Sequence, residues 1–290
     1  MMSTMNRRRT AQLGQEAVVI ASEGRYRRVD GQTVEIGDAV RRCVEETRVF
    51  RPGEWPGVIR RGREVAERNV PARMEVTPET TLAATRRLVE RENATRPLVL
   101  NFASAKNPGG GFLGGSRAQE ESLARSSALY LSLQVGREYY EQNRRCRSTL
   151  YTDHAILSPD VPVFRDDDGA LLDRPYAASF FTMPAVNVGA LGSGGADHAR
   201  VEPVMAGRVE KLLAMAAAEG SDELVLGAWG CGVFRNDSRL IARLFRDALF
   251  GPDRWASKFA RIVFAVFTTD RDRENLDAFE ECFAPRRAAR

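Results

Sequence analysis

Soft metal ligands are scarce: the 290 residues include four cysteines and two histidines. Cys43, Cys146, Cys231 and Cys282 form no Cys-x-x-Cys pair, and His154 and His198 stand far apart, so no metal site is expected. So few cysteines also argue against a disulfide framework, which points to a reducing, cytoplasmic compartment. A Ser-His-Asp or Cys-His centre would have to use one of two histidines in polar, loop-like surroundings. No run approaches the ~18 apolar residues of a membrane span. The basic N-terminus lacks an apolar core ahead of a cleavage site, so a secretory leader is not expected. Lysine is nearly missing too: Lys106, Lys211 and Lys258 are the only three among 43 basic residues. Arginine forks suit phosphate better than lysine does, although a GC-rich genome would produce the same bias.

The rest of the composition is that of a folded protein, 43% apolar and 28% charged with a net charge of +4. That charge is too mild to demand nucleic acid, and no basic-aromatic stripe suggests it. From residue 73 onward, strand-like and helix-like segments alternate, which predicts an α/β layer architecture with a mixed sheet. Strands are expected at 73–76, 97–102, 155–157, 161–164, 178–183, 223–226 and 261–267. Helices are expected at 77–93, from 119, at 136–145, 199–218, 238–249 and 273–282. Thr77-Pro78 reads as an N-cap followed by proline at the first helical position. The first 72 residues read as a helical extension before a domain over 73–290. That extension has helices over 4–22 and from Asp38 to about Arg48, and a connector over 51–71.

Two glycine-rich loops each follow a strand and precede a helix. In the first, Gly109-Gly110-Gly111 can take positive φ and bring bare backbone N–H groups against an anion. It lacks the Gly-Lys-Ser/Thr end of a P-loop and the spacing of a dinucleotide fingerprint. The second is Gly227-Ala228-Trp229-Gly230-Cys231-Gly232-Val233-Phe234. Phe234 suits either the core or the face of a sugar or base. After the first loop comes Gln119-Glu120-Glu121. Acids at a helix start are favoured by the dipole alone. Two carboxylates side by side next to a bound diphosphate also repel one another, and that keeps one protonated as a general acid requires. Paired carboxylates are the usual equipment of glycosidic cleavage.

The stretch NFASAKNPGGGFLGGSRAQEESLARSSALY resembles the signature of the bacterial-type poly(ADP-ribose) glycohydrolases, a triple glycine and Gln-Glu-Glu separated here by seven residues. GAWGCGVF is similar to that family's second phosphate loop. The resemblance covers about 75–283. It implies a macrodomain-like fold, a mixed sheet between helices, acting without metal or cofactor on poly(ADP-ribose) or ADP-ribosylated proteins to release ADP-ribose. It implies Glu121 as acid/base, Glu120 on the ribose hydroxyls and Gln119 supporting the pair. Gly109, Gly110 and Gly111 would line the diphosphate and distal ribose. Gly230, Cys231, Gly232 and Val233 would hold phosphate, with Phe234 against the scissile ribose. Many macrodomains carry asparagine four residues before the triple glycine, where this chain has Ala105. Asn107 is the candidate to take over its contact, or it simply shapes the loop before Pro108. Asn187 is a further candidate contact, and Phe267 is either substrate-facing or core. The alternative is a reader that binds ADP-ribose without cutting it, for which the acid pair would be superfluous. A monomer is expected.

Overall fold

The computed structural model describes residues 6–92, 94, 97–192, 197–268 and 273–284. In chain order the elements are α1 (Arg7–Glu23), β1 (Arg25–Arg27), β2 (Thr33–Glu35), α2 (Gly37–Glu45), β3 (Arg48–Phe50), α3 (Trp55–Glu64), β4 (Arg73–Thr77), α4 (Thr81–Glu92), β5 (Pro97–Phe102), α5 (Gln119–Ser126), α6 (Leu129–Val135) and α7 (Arg137–Arg145). They continue with β6 (Ala155–Arg165), β7 (Leu171–Met183), α8 (His198–Ala218), β8 (Glu223–Leu226), α9 (Ser238–Phe250), β9 (Arg261–Ala265) and α10 (Glu274–Phe283). The fold class is α/β with mixed strand pairing, as expected from the alternation. The chain divides into two compact units, 1–54 with 82–184 and 55–81 with 185–290.

In the first unit the strands run in the order β3-β6-β7-β5. β3 and β7 are antiparallel to β6, and β5 is parallel to β7 with Leu98 opposite Ser179. The run Pro97-Leu98-Val99-Leu100 of β5 is buried, which is why it reads as a continuous apolar strand rather than an alternating one. Helix α1 starts on Asn6, whose side chain accepts the Arg9 N–H, and stops at Gly24 with φ 69°. Its buried residues Thr10, Leu13, Gly14, Ala17 and Ala21 follow helical spacing, and small residues at three of those places allow close packing. The second unit holds the parallel strands β8-β9-β4, with α3, α8, α9 and α10.

Several expectations are corrected. The stretch 51–71 contains helix α3, whose Trp55, Val58 and Gly62 are buried on one face. Tertiary packing overrides the Pro/Gly/Arg composition there. Thr77 ends β4 and helix α4 begins only at Thr81, so Thr77-Pro78 is not an N-cap. The expected end of that helix, Asn93, lies outside the described residues, as do 4–5 and 193–196. Asp38 sits inside the first turn of α2 and is not its cap, and the helix stops before β3. The two expected strands 155–157 and 161–164 are one strand, β6, with a register shift between Ser158 and Val161.

Candidate active site

Strand β5 delivers the chain into the first glycine loop. Ser104 opens it, its Oγ accepting the N–H groups of Lys106 and Asn107 at 3.2 and 3.1 Å. Gly109 and Gly110 both take left-handed φ, 68° and 60°. The turn closes with Gly110 N–H on the Asn107 carbonyl at 3.0 Å and Phe112 N–H on the Gly109 carbonyl at 3.3 Å. The Gly111 N–H points back to Glu121 and donates to its Oε1 at 3.0 Å. A Cβ on Gly110 would lie 2.9 Å from Cδ of Glu121 and 3.2 Å from Oε2 of Glu120. Glycine at 110 is therefore required twice, by the backbone angle and by the acid pair pressed against it.

Helix α5 begins at Gln119, and Ala118 at the N-cap supplies no side-chain bond. Glu120 and Glu121 go different ways. Glu120 is 3% exposed. Its Oε2 accepts the Ser104 N–H at 2.6 Å, and its Oε1 lies 3.5 Å from Nδ2 of Asn101. Burial pushes its pKa from 4.5 up to about 8, and the charge on Glu121 pushes the same way. The bonds from Ser104 and Asn101 oppose the shift without cancelling it. Glu120 is thus mostly protonated at neutral pH. Glu121, 9% exposed, faces the triple glycine instead.

Gln119 braces the pair from behind. Its Oε1 accepts the Phe102 N–H at 2.8 Å and its Nε2 donates to the Leu100 carbonyl at 2.7 Å. Both ends of that amide are spent on β5. Residues outside the expected set complete the floor. Asn101 is fully buried and donates to Thr182 Oγ1 at 3.1 Å. The Tyr139 hydroxyl donates to the Ser104 carbonyl at 3.2 Å. Among the described residues the buried Tyr140 hydroxyl has no hydrogen-bond partner, and burial, with the Glu120 charge adding to it, holds its pKa far above the usual phenol range. One signal for Asn101 was present in the sequence: a polar side chain inside a continuous apolar strand.

Other expected residues fall as follows. Asn107 is exposed, and among the described residues it shapes the turn through its backbone carbonyl and N–H. Ala105 is buried. Phe267 lies two residues beyond the end of β9 and is 51% exposed, so it is not a core residue. Asn187 is partly exposed ahead of a single 3-10 turn, Val188–Ala190.

The second loop belongs to the other unit. Gly230 has φ 76°, and a Cβ there would lie 2.6 Å from Nδ2 of Asn236. Asn236 ties the loop down by donating to the carbonyls of Val186 at 2.8 Å and Gly230 at 3.1 Å. The Cys231 N–H is spent on Ala228 O, and burial pushes its thiol up to about 12, so it carries no thiolate at neutral pH. Among the described residues the N–H groups of Gly232 and Val233 donate to no protein acceptor, and Val233 is 79% exposed. Phe234 is partly exposed, with its carbonyl accepting the Gly189 N–H at 3.0 Å. Among the described residues no three His, Cys, Asp or Glu side chains group as metal ligands.

Residues 14–166 match the family described as "Microbial-type PARG, catalytic domain". A crystal structure of poly(ADP-ribose) glycohydrolase (PARG) from Thermomonospora curvata is 44% identical with a TM-score of 0.90, covering 95% of this chain and 100% of that one. The same enzyme bound to the inhibitor ADP-HPD is 43% identical with a TM-score of 0.87, at 95% and 100% coverage. The Deinococcus radiodurans PARG in complex with ADP-ribose is 43% identical with a TM-score of 0.80, covering 87% of this chain and 99% of that one. No curated protein sequence matches.

Proposed function

The chain belongs to the microbial-type poly(ADP-ribose) glycohydrolase family, and from that premise we propose how its residues divide the hydrolysis of ribose–ribose O-glycosidic bonds. The observation that carries the division is the split environment of the acid pair. Glu120 is held by Ser104 in a buried, proton-retaining site, while Glu121 lies against Gly110 and Gly111. Two adjacent carboxyls with different environments take different roles.

Glu121 is the acid/base. Beside the bound anionic diphosphate it takes up a proton from solvent, and it gives that proton to the leaving ribose oxygen as the bond from the anomeric carbon to that oxygen breaks. The anomeric carbon gains oxocarbenium character. Water then adds to it, and its proton returns to the Glu121 carboxylate. Glu120, neutral at working pH, orients ribose hydroxyls without repelling the charge that forms on Glu121. Gln119 is the strut that fixes both to β5. Gly109, Gly110 and Gly111 line the diphosphate and distal ribose, and Asn107 offers its exposed amide to that ribose.

Gly230, Cys231, Gly232 and Val233 are proposed to form the second phosphate loop, with the free N–H groups of Gly232 and Val233 as its donors and Cys231 holding the turn through the Ala228 carbonyl. Phe234 is proposed to pack on the scissile ribose. The catalytic module is proposed to span 73–290, with 1–72 an extension that serves it. The protein is proposed to act as a cytoplasmic monomer. Its four free thiols support a reducing compartment, and no helix among the described residues is long and apolar enough to cross a membrane.

The test compares wild type with Glu121→Gln for ADP-ribose release from purified poly(ADP-ribose) and for ADP-ribose affinity by calorimetry. Turnover is expected to fall by roughly 10²–10⁴-fold with binding retained. A variant that still turns over at the wild-type rate refutes the role of Glu121.

A further inference from the structure

Two buried arginines stand behind the acid pair, and the chemistry above uses neither. Arg125 follows Glu121 by one turn of α5 and is 7% exposed. Its Nη1 donates to the Ser116 carbonyl at 2.5 Å and its Nη2 to Ser122 Oγ at 3.0 Å. Ser116 closes the glycine loop, donating its N–H to the Gly111 carbonyl at 3.2 Å. The residue that presents its N–H to Glu121 is therefore linked to the guanidinium of Arg125 by two hydrogen bonds through Ser116.

Arg165 ties this assembly to the N-terminal helix. It is 2% exposed, and its Nη1 donates both to the Leu13 carbonyl of α1 at 2.8 Å and to the Arg125 carbonyl of α5 at 3.0 Å. Its Nη2 meets Glu16 at 3.2 Å. Helix α1 touches the loop directly as well, with Arg7 Nε donating to the Gly114 carbonyl at 2.9 Å. Gly14 allows the approach, since a Cβ there would lie 2.8 Å from the Phe112 carbonyl oxygen. Burying a guanidinium against carbonyls and a hydroxyl costs more than packing an apolar side chain of the same size. Hydrogen bonds that fix a loop are a return that an apolar side chain does not provide.

We propose that Arg125 is a positioning residue for the hydrolysis. It fixes the Ser116 end of the glycine loop and, through the Gly111 N–H, the carboxylate of Glu121, while Arg165 couples that arrangement to α1. The inference rests on the reading of Glu121 as acid/base. It also gives the N-terminal extension a task in the reaction.

The experiment uses the full chain as wild type, Arg125→Met, Arg125→Lys and Arg7→Ala. Three quantities are read: amide hydrogen exchange of the 107–118 segment, ADP-ribose affinity by calorimetry, and kcat and KM on poly(ADP-ribose). Arg125→Met is expected to raise exchange in 107–118 and to lower kcat about 10- to 100-fold, with KM and ADP-ribose affinity within about threefold. Arg125→Lys should recover part of kcat, because one donor still reaches Ser116. Arg7→Ala, at an exposed position, should loosen the same segment with a smaller loss of kcat. Wild-type exchange in 107–118 in every variant overturns the proposal, and so does an unchanged kcat in Arg125→Met. A parallel fall of kcat, affinity and melting temperature also overturns it, since that marks a merely structural arginine. Should Arg125→Met not fold, Arg125→Lys and Arg7→Ala decide by the same criteria. If wild type releases no ADP-ribose, the functional reading fails, and loop exchange alone still decides whether Arg125 holds the loop.

Discussion

Glu120 and Glu121 differ by one position and by little in chemistry, yet one faces the floor and the other the loop. Adjacent helical residues point about 100° apart, so a single anchor suffices to send them to different surroundings. For Glu120 that anchor is the Ser104 N–H, with Asn101 beside it. A stability consequence follows from its raised pKa. Between the ordinary value of 4.5 and about 8 the folded state holds a proton that the unfolded state has released. Stability from this group is therefore fully present below pH 4.5 and is lost as pH rises toward 8. At most ~5 kcal/mol is at stake. Urea denaturation of wild type at pH 5 and pH 8 should show that loss, and Glu120→Gln, which cannot ionise, should show less of it. Equal pH dependence in the two proteins would exclude a protonated Glu120. Both acids were legible in the sequence because they follow a glycine loop. Their division of labour was not, because it depends on Ser104 and Asn101, residues on the far side of the loop.

At the level of elements, the sequence marks a boundary well where the apolar pattern is local and badly where a contact from elsewhere intervenes. Strand β8 and helix α9 lie where their patterns place them. The helix expected from residue 119 is instead two. Ser127 leaves the helix to bridge Val163, and the Ala128 N–H donates to the Pro162 carbonyl at 3.1 Å. No signal around Ser127 announces a partner 36 residues away. Helix α3 was hidden by its Pro and Gly content for a related reason. Gly62 is buried against α8, where a Cβ would lie 2.9 Å from the Ala214 Cα. Gly62→Val should therefore separate α3 from α8 and cost about 1–3 kcal/mol, read as a lower denaturant midpoint. Wild-type stability in that variant would mean the two helices tolerate separation. Gly62→Ala should cost less, having fewer atoms to place.

Across the whole molecule, the net charge of +4 and the almost exclusive use of arginine describe a surface suited to a polyanion, though only mildly. KM for poly(ADP-ribose) is expected to rise as ionic strength goes from about 0.05 to 0.3 M, because screening acts on the long-range attraction that gathers the polymer. The kcat should barely move, since the acid pair is buried. A salt-independent KM would assign capture to the pocket alone. The sequence by itself determined the α/β class, the order of strand, glycine loop and helix, and the family, because each is written in residues close together along the chain. Hydrophobic period, turn glycines and the Gly-Gly-Gly and Gln-Glu-Glu spacing need no partner to be read. Only the tertiary structure decided which acid keeps its proton, that Gln119 spends its amide on β5, and that α1 supports the catalytic loop. These rest on pairs such as Arg7 with Gly114 and Arg165 with Leu13, which are 107 and 152 residues apart. The reason is physical: desolvation and hydrogen bonding act between neighbours in space, and only folding makes those residues neighbours.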